Sequence, residues 1–175
     1  EILTPLHSEL DLCNYAMVEH YISKTHPDMV IHCAGRVGGI QANINERVRF
    51  LVENLDMGRN VITAARRCGV TKLINFGSSC MYPCNAPNPL IEDYILQGEL
   101  EPTNEGYAIA KIVSQRLCSY IMRESPEYQY KTLMPCNLYG KYDKFDLTHA
   151  HMIPAAINKV HAAKDSKSDV LIWGT

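Results

Sequence analysis

The sequence predicts a single α/β domain built around a parallel sheet. Three observations predict this fold class. Short apolar segments alternate with longer segments of helical periodicity, the apolar segments lack the alternation of a half-exposed strand, and 175 residues suit one domain. Strands that are apolar on both faces are typical of parallel sheets, which crossover helices cover. We therefore expect right-handed β–α–β connections along the chain.

Four strands are predicted from the apolar segments. They cover residues 28–34, 71–78, 130–136 and 169–173. The first follows Pro27, as a strand that starts after a helix-breaking residue would. Each segment is short and nearly continuous in apolar residues, so we expect strands that are buried on both faces.

Four helices are predicted between the strands, at residues 11–24, 45–67, 105–123 and 152–163. Gly69 follows the second helix, where a glycine often ends one. Apolar residues at helical spacing define the expected buried faces. In the second helix they are Val48, Leu51, Val52, Leu55 and Ile62, and in the third Ile109, Ile112, Val113, Leu117, Tyr120 and Ile121.

Composition excludes several classes of function. A net charge of −2 provides no basic face for a nucleic-acid backbone, and no segment approaches the ~20 apolar residues of a membrane span. The seven cysteines are odd in number and lie mostly within apolar segments, which suits a reducing cytoplasm. Cys80 and Cys84 have no second pair and no histidine at ligand spacing, so we expect no metal site.

Small and polar residues follow three of the predicted strands. Ligands of open α/β sheets bind outside the carboxyl ends of the strands. After the first strand come Cys33, Ala34 and Gly35, after the second Ser78, Ser79 and Cys80, and after the third Asn137, Leu138, Tyr139 and Gly140. The long irregular segment 80–104 follows the second strand directly and is a candidate active-site loop.

The strongest single motif is GYAIAK, residues 106–111. Tyr107 and Lys111 are four residues apart, so on a helix they lie on one face, beside the predicted buried stripe and in line with Cys118. An ammonium near a phenol favours the phenolate, and we expect Lys111 to lower the pKa of Tyr107. An exposed Tyr beside a Lys is the ordinary alternative. Ser78, about 30 residues upstream at a strand end, favours the catalytic interpretation.

Three motifs in this order resemble a known family. GSSCMYP (77–83), EPTNEGYAIAK (101–111) and MPCNLYG (134–140) are similar to the extended short-chain dehydrogenase/reductases, and specifically to the GDP-L-fucose synthase family. AGRVGGIQAN, LQGELEPTNE, HMIPAAINKVH and the closing VLIWGT extend the resemblance over nearly the whole chain. The implied fold is a doubly wound, Rossmann-like sheet.

The resemblance implies an enzyme that epimerises GDP-4-keto-6-deoxy-D-mannose at C3 and C5 and then reduces C4 with NADPH, giving GDP-L-fucose. Cys80 and His151 would transfer protons at carbon, because the neighbouring carbonyl makes those protons acidic. Tyr107 would donate the proton for reduction, Lys111 would assist it and hold the nicotinamide ribose, and Ser78 would hydrogen-bond the keto oxygen.

Further residues take their roles from the resemblance alone. Cofactor contacts are implied for Asp11, Leu12, Ala34, Gly35, Phe76, Gly77, Ser78, Ser79, Tyr107, Lys111, Pro135, Asn137, Leu138 and His151. Lys159 and Trp173 match substrate-binding positions, although a solvated charge and a core aromatic explain them equally well. Cys80 as a small packing residue, and His149 in place of His151, also stay open.

The resemblance also implies parts that residues 1–175 do not contain. The family begins with a strand and a GxxGxxG turn that binds the pyrophosphate, and it continues into a smaller substrate domain. We therefore expect one Rossmann-like domain that lacks its first β–α unit, taken from a longer chain. A homodimer formed through helices 45–67 and 105–123 is expected. The alternatives are an enzyme for a related GDP-keto-sugar, such as a heptose, and a non-catalytic remnant of the fold.

Overall fold

The protein is described here by a computed structural model, in which residues 1–145 and 150–171 are placed. Three parallel strands, β1 (Val30–His32), β2 (Lys72–Phe76) and β3 (Gln129–Leu133), form a sheet in the order β1-β2-β3. In this part of the chain the five α-helices are α1 (Tyr15–Thr25), α2 (Ile40–Asn45), α3 (Arg47–Arg67), α4 (Glu105–Glu124) and α5 (Met152–Ser166). The predicted parallel α/β fold is confirmed.

The predicted elements differ from the observed ones mainly at their ends. Each of the first three strands is shorter than its apolar segment, and a short helix, α2, precedes the second predicted helix. Gly69 does end α3, with a positive φ of 77° that favours glycine. Of the predicted fourth strand, residues 169–171 are not in a strand, and residues 172–173 lie outside the described part.

One face of the sheet packs against helices α3 and α4, and α1 packs on α3. Leu73 of β2 and Tyr130 of β3 are buried at the centre of the core, together with Ile62 of α3 and Ile121 of α4. Strand residues that alternate with these are more exposed, as Ile31 and Leu133 show. The core of the described residues therefore lies on one side of the sheet, and the expectation of strands buried on both faces is wrong for these residues.

A close approach of two helices positions the site. A Cβ at Gly58 of α3 would lie 2.1 Å from Oγ of Ser114 of α4, so only glycine permits this separation. At the start of α4, a Cβ at Gly106 would lie 3.3 Å from the carbonyl oxygen of Arg47. These small residues allow α4 to lie close against α3, with its first two turns beside the end of β2.

The predicted buried stripes of α3 and α4 are partly wrong. Several apolar members of the stripes are exposed: Val48, Val52, Ile109, Val113 and Tyr120. Lys111 and Cys118, predicted at the edge of the stripe, are buried instead. The reason is that small residues such as Gly58 and Ser114 form the helix contact, which turns larger apolar side chains outward. No helix of the described residues has the length and apolar character needed to cross a membrane.

Candidate active site

The turn after β2 positions a hydroxyl and a thiol. The backbone N–H of Gly77 donates to the carbonyl oxygen of Leu133 at 2.8 Å, which continues the strand pairing one residue past β2. The chain then forms a single helical turn, Ser79–Met81. Oγ of Ser78 accepts a hydrogen bond of 3.3 Å from the N–H of Cys80. Ser78 thus caps this turn by bonding the backbone of Cys80.

Tyr107, in the first turn of α4, lies beside Ser78 and Cys80. Burial raises the pKa of its phenol above the ordinary value, a negative charge on Cys80 would raise it further, and a hydrogen bond with Ser78 acts in the opposite direction. At neutral pH the phenol is therefore protonated. The fold thus brings Ser78, Cys80 and Tyr107 together from two separate sequence motifs.

Lys111 lies one turn further along α4. Its Nζ donates a 2.9 Å hydrogen bond to the carbonyl oxygen of Phe76 and lies 5.8 Å from the centre of the Tyr107 ring. The residue is only 6% exposed, and burial lowers the pKa of its ammonium, which Cys33 opposes. The expected lowering of the pKa of Tyr107 by Lys111 is wrong for this structure. Burial dominates and raises the pKa of the phenol, and the ammonium is bonded to the carbonyl oxygen of Phe76 instead.

The loop after β1 leaves space beside Lys111. A Cβ at Gly35 would lie 3.1 Å from Oδ1 of Asn54 and 3.5 Å from Nζ of Lys111. Asn54, buried in α3, holds this loop through two bonds to the backbone of Arg36: its Oδ1 accepts from the N–H at 2.9 Å and its Nδ2 donates to the carbonyl at 3.1 Å. Gly35 is therefore fixed next to the ammonium, and Ala34 directly precedes it, at the carboxyl end of the sheet.

Two asparagines of this site were not found from the sequence. Asn54 lies within a helix, where an amide is ordinarily solvent-facing, and no spacing rule marks it. Asn104 directly precedes α4, where asparagine is ordinarily explained as a helix cap. Its Nδ2 instead donates to Sγ of Cys80 at 3.2 Å. Its position before a helix could have drawn attention to it, but only the tertiary fold shows the thiol contact.

Of the other predicted cofactor residues, Asp11 and Leu12 lie in the segment before α1. The carbonyl oxygen of Leu12 accepts a 2.9 Å hydrogen bond from Nδ2 of the buried Asn60 in α3. Oδ1 of Asp11 accepts from the N–H of Cys13 at 2.9 Å. These contacts hold the segment on α3, and in the described residues no hydrogen bond connects it to the group around Cys80.

The third strand end carries Pro135, Asn137 and Leu138. They follow β3, whose parallel partner β2 leads into Ser78 and Ser79, so all of them lie at the same edge of the sheet. Asn137 and Leu138 are exposed. Their side chains are therefore accessible to a ligand at this edge.

The predicted residues near the C-terminus make no hydrogen bond to this group within the described residues. His151 is exposed and occupies the cap position of α5. Within residues 1–145 and 150–171, no hydrogen bond joins His151 to Ser78, Cys80 or Tyr107. Nζ of Lys159 donates to the carbonyl oxygen of Leu171 at 3.0 Å. His149 and Trp173 lie outside the described residues.

The cysteines show no metal chemistry in the described part of the chain. All seven thiols are free. No group of three or more His, Cys, Asp or Glu side chains there could hold a metal ion.

A phenol, a hydroxyl and a buried ammonium at the carboxyl edge of a parallel sheet are typical of nicotinamide-dependent enzymes with a Rossmann-like fold. The model of the NAD dependent epimerase/dehydratase family matches residues 5–175, and the chain belongs to this family.

Individual relatives narrow the comparison from the family to particular sugar-nucleotide enzymes. The chain is 57% identical over 175 residues to GDP-L-colitose synthase of Yersinia pseudotuberculosis and 49% identical over 175 residues to GDP-L-fucose synthase of Azorhizobium caulinodans. Each match includes 99% of this chain, but only 57% and 56% of the two relatives. The chain thus spans little more than half their length.

Among solved structures, the fold matches a GDP-mannoheptose C4 reductase from Campylobacter jejuni with NADP bound. The TM-score is 0.85 at 32% sequence identity, over 95% of this chain and 53% of that one. Together, the relatives show that the chain is similar to GDP-sugar epimerases and reductases in both sequence and fold.

Proposed function

We propose that this chain carries the catalytic centre of an NADPH-dependent enzyme that converts GDP-4-keto-6-deoxy-D-mannose to GDP-L-fucose. The observation that carries the proposal is the group formed around Ser78, whose hydroxyl bonds both the backbone N–H of Cys80 and the phenol of Tyr107. The thiol of Cys80 lies close enough to act electrostatically on that phenol, and the ammonium of Lys111 lies behind it. A thiol suits proton transfer at carbon, and a phenol suits proton transfer to oxygen. Both steps need to occur at one sugar ring.

The residues fit a nicotinamide ribose beside Lys111. Its ammonium carries three N–H groups, and in the described residues one of them bonds to the protein, at Phe76. A largely buried cation with donors to spare favours a polar ligand at this place. A Cβ at Gly35 would lie 3.5 Å from Nζ of Lys111, so glycine at this position leaves room beside the ammonium on the side of the loop after β1. Ribose hydroxyls would supply the missing acceptors.

The epimerisation is assigned to Cys80 and His151. The C4 carbonyl makes the protons at C3 and C5 acidic, because their loss gives an enolate. The Cys80 thiolate takes a proton, so that an S–H bond forms as the C–H bond breaks, and the enolate keeps the electron pair. His151 returns a proton to the opposite face of the same carbon. Reference pKa values of ~8.5 for a thiol and ~6.5 for an imidazole suit such exchange near neutral pH.

The reduction is assigned to Tyr107, Ser78 and Lys111. NADPH supplies the hydride for C4 when it is bound. The raised pKa keeps the phenol of Tyr107 protonated, so it can donate a proton to the sugar oxygen. Ser78 hydrogen-bonds the same oxygen as negative charge develops there. Lys111 holds the ribose and places positive charge behind the phenol.

The 57% identity to a protein named GDP-L-colitose synthase favours a second candidate. L-Colitose is L-fucose without its 3-hydroxyl, so the corresponding keto-sugar needs epimerisation only at C5. The same thiol and phenol would serve this reaction. The two candidates differ in the sugar accepted and in the number of carbons that exchange a proton.

The test supplies the purified full-length protein with NADPH and either GDP-4-keto-6-deoxy-D-mannose or its 3-deoxy analogue. Absorbance at 340 nm reports reduction, and NMR in D₂O reports deuterium at C3 and C5. We expect GDP-L-fucose with deuterium at both carbons. Turnover of the 3-deoxy sugar alone would favour the second candidate. If neither sugar is consumed, the proposal of this activity is wrong.

We further propose a homodimer formed through α3 and α4. Val48 of α3 is 74% exposed, and Val52, Ile109, Val113 and Tyr120 are also exposed on these two helices. Val48 and Ile109 line one cavity between the helices, so their apolar side chains form a shared surface. Exposed apolar surface of this kind favours a protein partner.

The seven free cysteines support a cytoplasmic location.

A further inference from the structure

The side chain of Asn104 does not cap helix α4, although its position in the sequence predicts that it would. Asparagine is among the preferred residues at the N-cap of a helix, where its side chain normally accepts a bond from the backbone N–H two or three residues later. Asn104 occupies this position before α4, but its side chain makes no capping bond. The amide group is directed at the thiol of Cys80 instead, with Nδ2 3.2 Å from Sγ.

The orientation of the Asn104 side chain also leaves its amide oxygen without a hydrogen bond. Oδ1 of Asn104 is buried and has no hydrogen-bond partner in the described residues. A buried polar atom without a partner is unfavourable, and such atoms are few in native proteins. The missing helix cap and the unpaired oxygen both destabilise the fold locally. The contact that this orientation makes instead is the hydrogen bond to Cys80. Local departures of this kind are expected at functional sites.

The backbone around Asn104 is held in place. Its N–H donates to the carbonyl oxygen of Glu101 at 3.2 Å, and its carbonyl oxygen accepts from the N–H of Ala108 at 3.0 Å. The Glu101 carboxylate accepts from both the N–H and the hydroxyl of Thr103. The amide is therefore presented to the sulfur by a rigid turn.

We infer that Asn104 is a positioning residue for Cys80: its N–H donor directs the sulfur and stabilises negative charge on it during proton transfer at carbon. A hydrogen bond to a charged acceptor is roughly twice as strong as a neutral one, so this bond is strongest before the thiolate takes the proton. The epimerase part of the inference rests on the proposed function. The contact between Asn104 and the thiol of Cys80 does not depend on that function.

The test uses two variants of the full-length protein that keep a capping side chain. Asn104→Asp retains the shape of the residue and its preference for a helix start, but replaces the donor with a negative charge. Asn104→Ser also caps a helix, but its side chain is shorter. The first readout is the rate at which iodoacetamide alkylates Cys80, measured by peptide mass spectrometry without substrate or cofactor. Cys84, which is exposed and four residues away, is the internal control.

We expect Asn104→Asp to slow alkylation of Cys80 by roughly tenfold or more, and Asn104→Ser by severalfold, because each loses the donor to the thiolate. The rate at Cys84 should not change. Unfolding would expose Cys80 and speed its alkylation, so a slower rate cannot come from loss of structure. Unchanged alkylation of Cys80 in Asn104→Asp would overturn the inference.

The second readout is deuterium exchange into the keto-sugar, with NADPH binding as a control. We expect exchange to fall in parallel with alkylation and NADPH affinity to persist. If alkylation slows but the wild-type protein itself exchanges no deuterium, the proposed function fails while the thiol contact stands. If the wild type exchanges deuterium and both variants match it, the role of Asn104 in the reaction is wrong.

Discussion

The ammonium of Lys111 donates a 2.9 Å hydrogen bond to the carbonyl oxygen of Phe76. This bond joins the second turn of α4 to the last residue of β2, and it fixes a buried positive charge at the edge of the sheet. The charge also acts on His32, the last residue of the neighbouring β1. Lys111 therefore connects the candidate site to the pH dependence of the fold.

The first prediction concerns acid stability. Burial, and secondly the positive charge of Lys111, lower the pKa of His32 to about 4. An unfolded histidine binds its proton near 6.5, so between these pH values the unfolded state holds more protons than the folded one. Stability is therefore full above pH 6.5 and declines as the pH falls to about 4. The total loss from His32 should be about 3 kcal/mol.

Urea unfolding at pH 7 and pH 5 measures this effect. His32→Gln is the matched control, because it removes the titrating group and retains a polar side chain. The wild type should lose about 2 kcal/mol more than His32→Gln between the two pH values. Carboxylates titrate in both proteins and cancel in the comparison. Equal losses in the two proteins would contradict the buried neutral histidine.

The second prediction separates the two proposed chemical steps in the full-length protein. Cys80→Ser replaces the thiol with a much weaker acid of similar size, so deuterium exchange at C3 and C5 should collapse while NADPH binding survives. Tyr107→Phe removes the proton donor for reduction but retains the thiol. Exchange should then continue, while NADPH oxidation falls by ~10²- to 10⁴-fold, the usual contribution of a general acid.

NMR in D₂O and absorbance at 340 nm follow the two steps for each variant. Wild-type exchange in Cys80→Ser would show that the thiol is a packing residue. Normal reduction by Tyr107→Phe would remove the catalytic role of the phenol. A parallel loss of both steps in both variants would mean that the two residues do not serve separate steps.

The third prediction tests the contact between α3 and α4. Gly→Ala within a helix ordinarily stabilises it by about 1 kcal/mol. At Gly58 the new Cβ would lie 2.1 Å from Oγ and 3.2 Å from Cβ of Ser114. Gly58→Ala should therefore destabilise the protein by about 1–3 kcal/mol. The measurement is the midpoint of urea unfolding.

A double variant decides whether the clash is the cause. Ser114→Ala removes the nearer of the two atoms, so Gly58→Ala should be less harmful in that background. A double-mutant cycle would then show coupling between the two positions. A stable Gly58→Ala single variant would show that the helices separate without cost. Additive effects would show that the Ser114 hydroxyl is not the source of the clash.

The fourth prediction concerns the proposed dimer of the full-length protein. Val113→Glu places a charge on the exposed apolar surface of α4, and burying that charge in an interface would be unfavourable. Val160→Glu is the control, because Val160 is similarly exposed but lies on α5. Sedimentation at tens of micromolar should show dimer for the wild type and Val160→Glu, and monomer for Val113→Glu. A wild type that is monomeric at this concentration would refute the dimer.

The sequence by itself determined the order of the elements and the position of the chemistry along them. Apolar segments with polar ends predicted the first three strands, and helical spacing predicted α1, α3, α4 and α5, because both patterns are local properties of the chain. The parallel sheet then places the residues after each strand at one edge. That Ser78, Cys80 and the Tyr107–Lys111 pair belong to one site follows from this topology and from the family resemblance.

The tertiary structure alone decided which faces are buried and which polar groups meet. Val48 and Val113 are exposed although they are apolar, because small residues at Gly58 and Ser114 make the helix contact. Lys111 is buried because the resulting close packing places its ammonium at the carbonyl oxygen of Phe76. The contact of Asn104 with Cys80 likewise depends on how α4 lies against the end of β2. These features are set by distances between segments far apart in the chain, which no local pattern encodes.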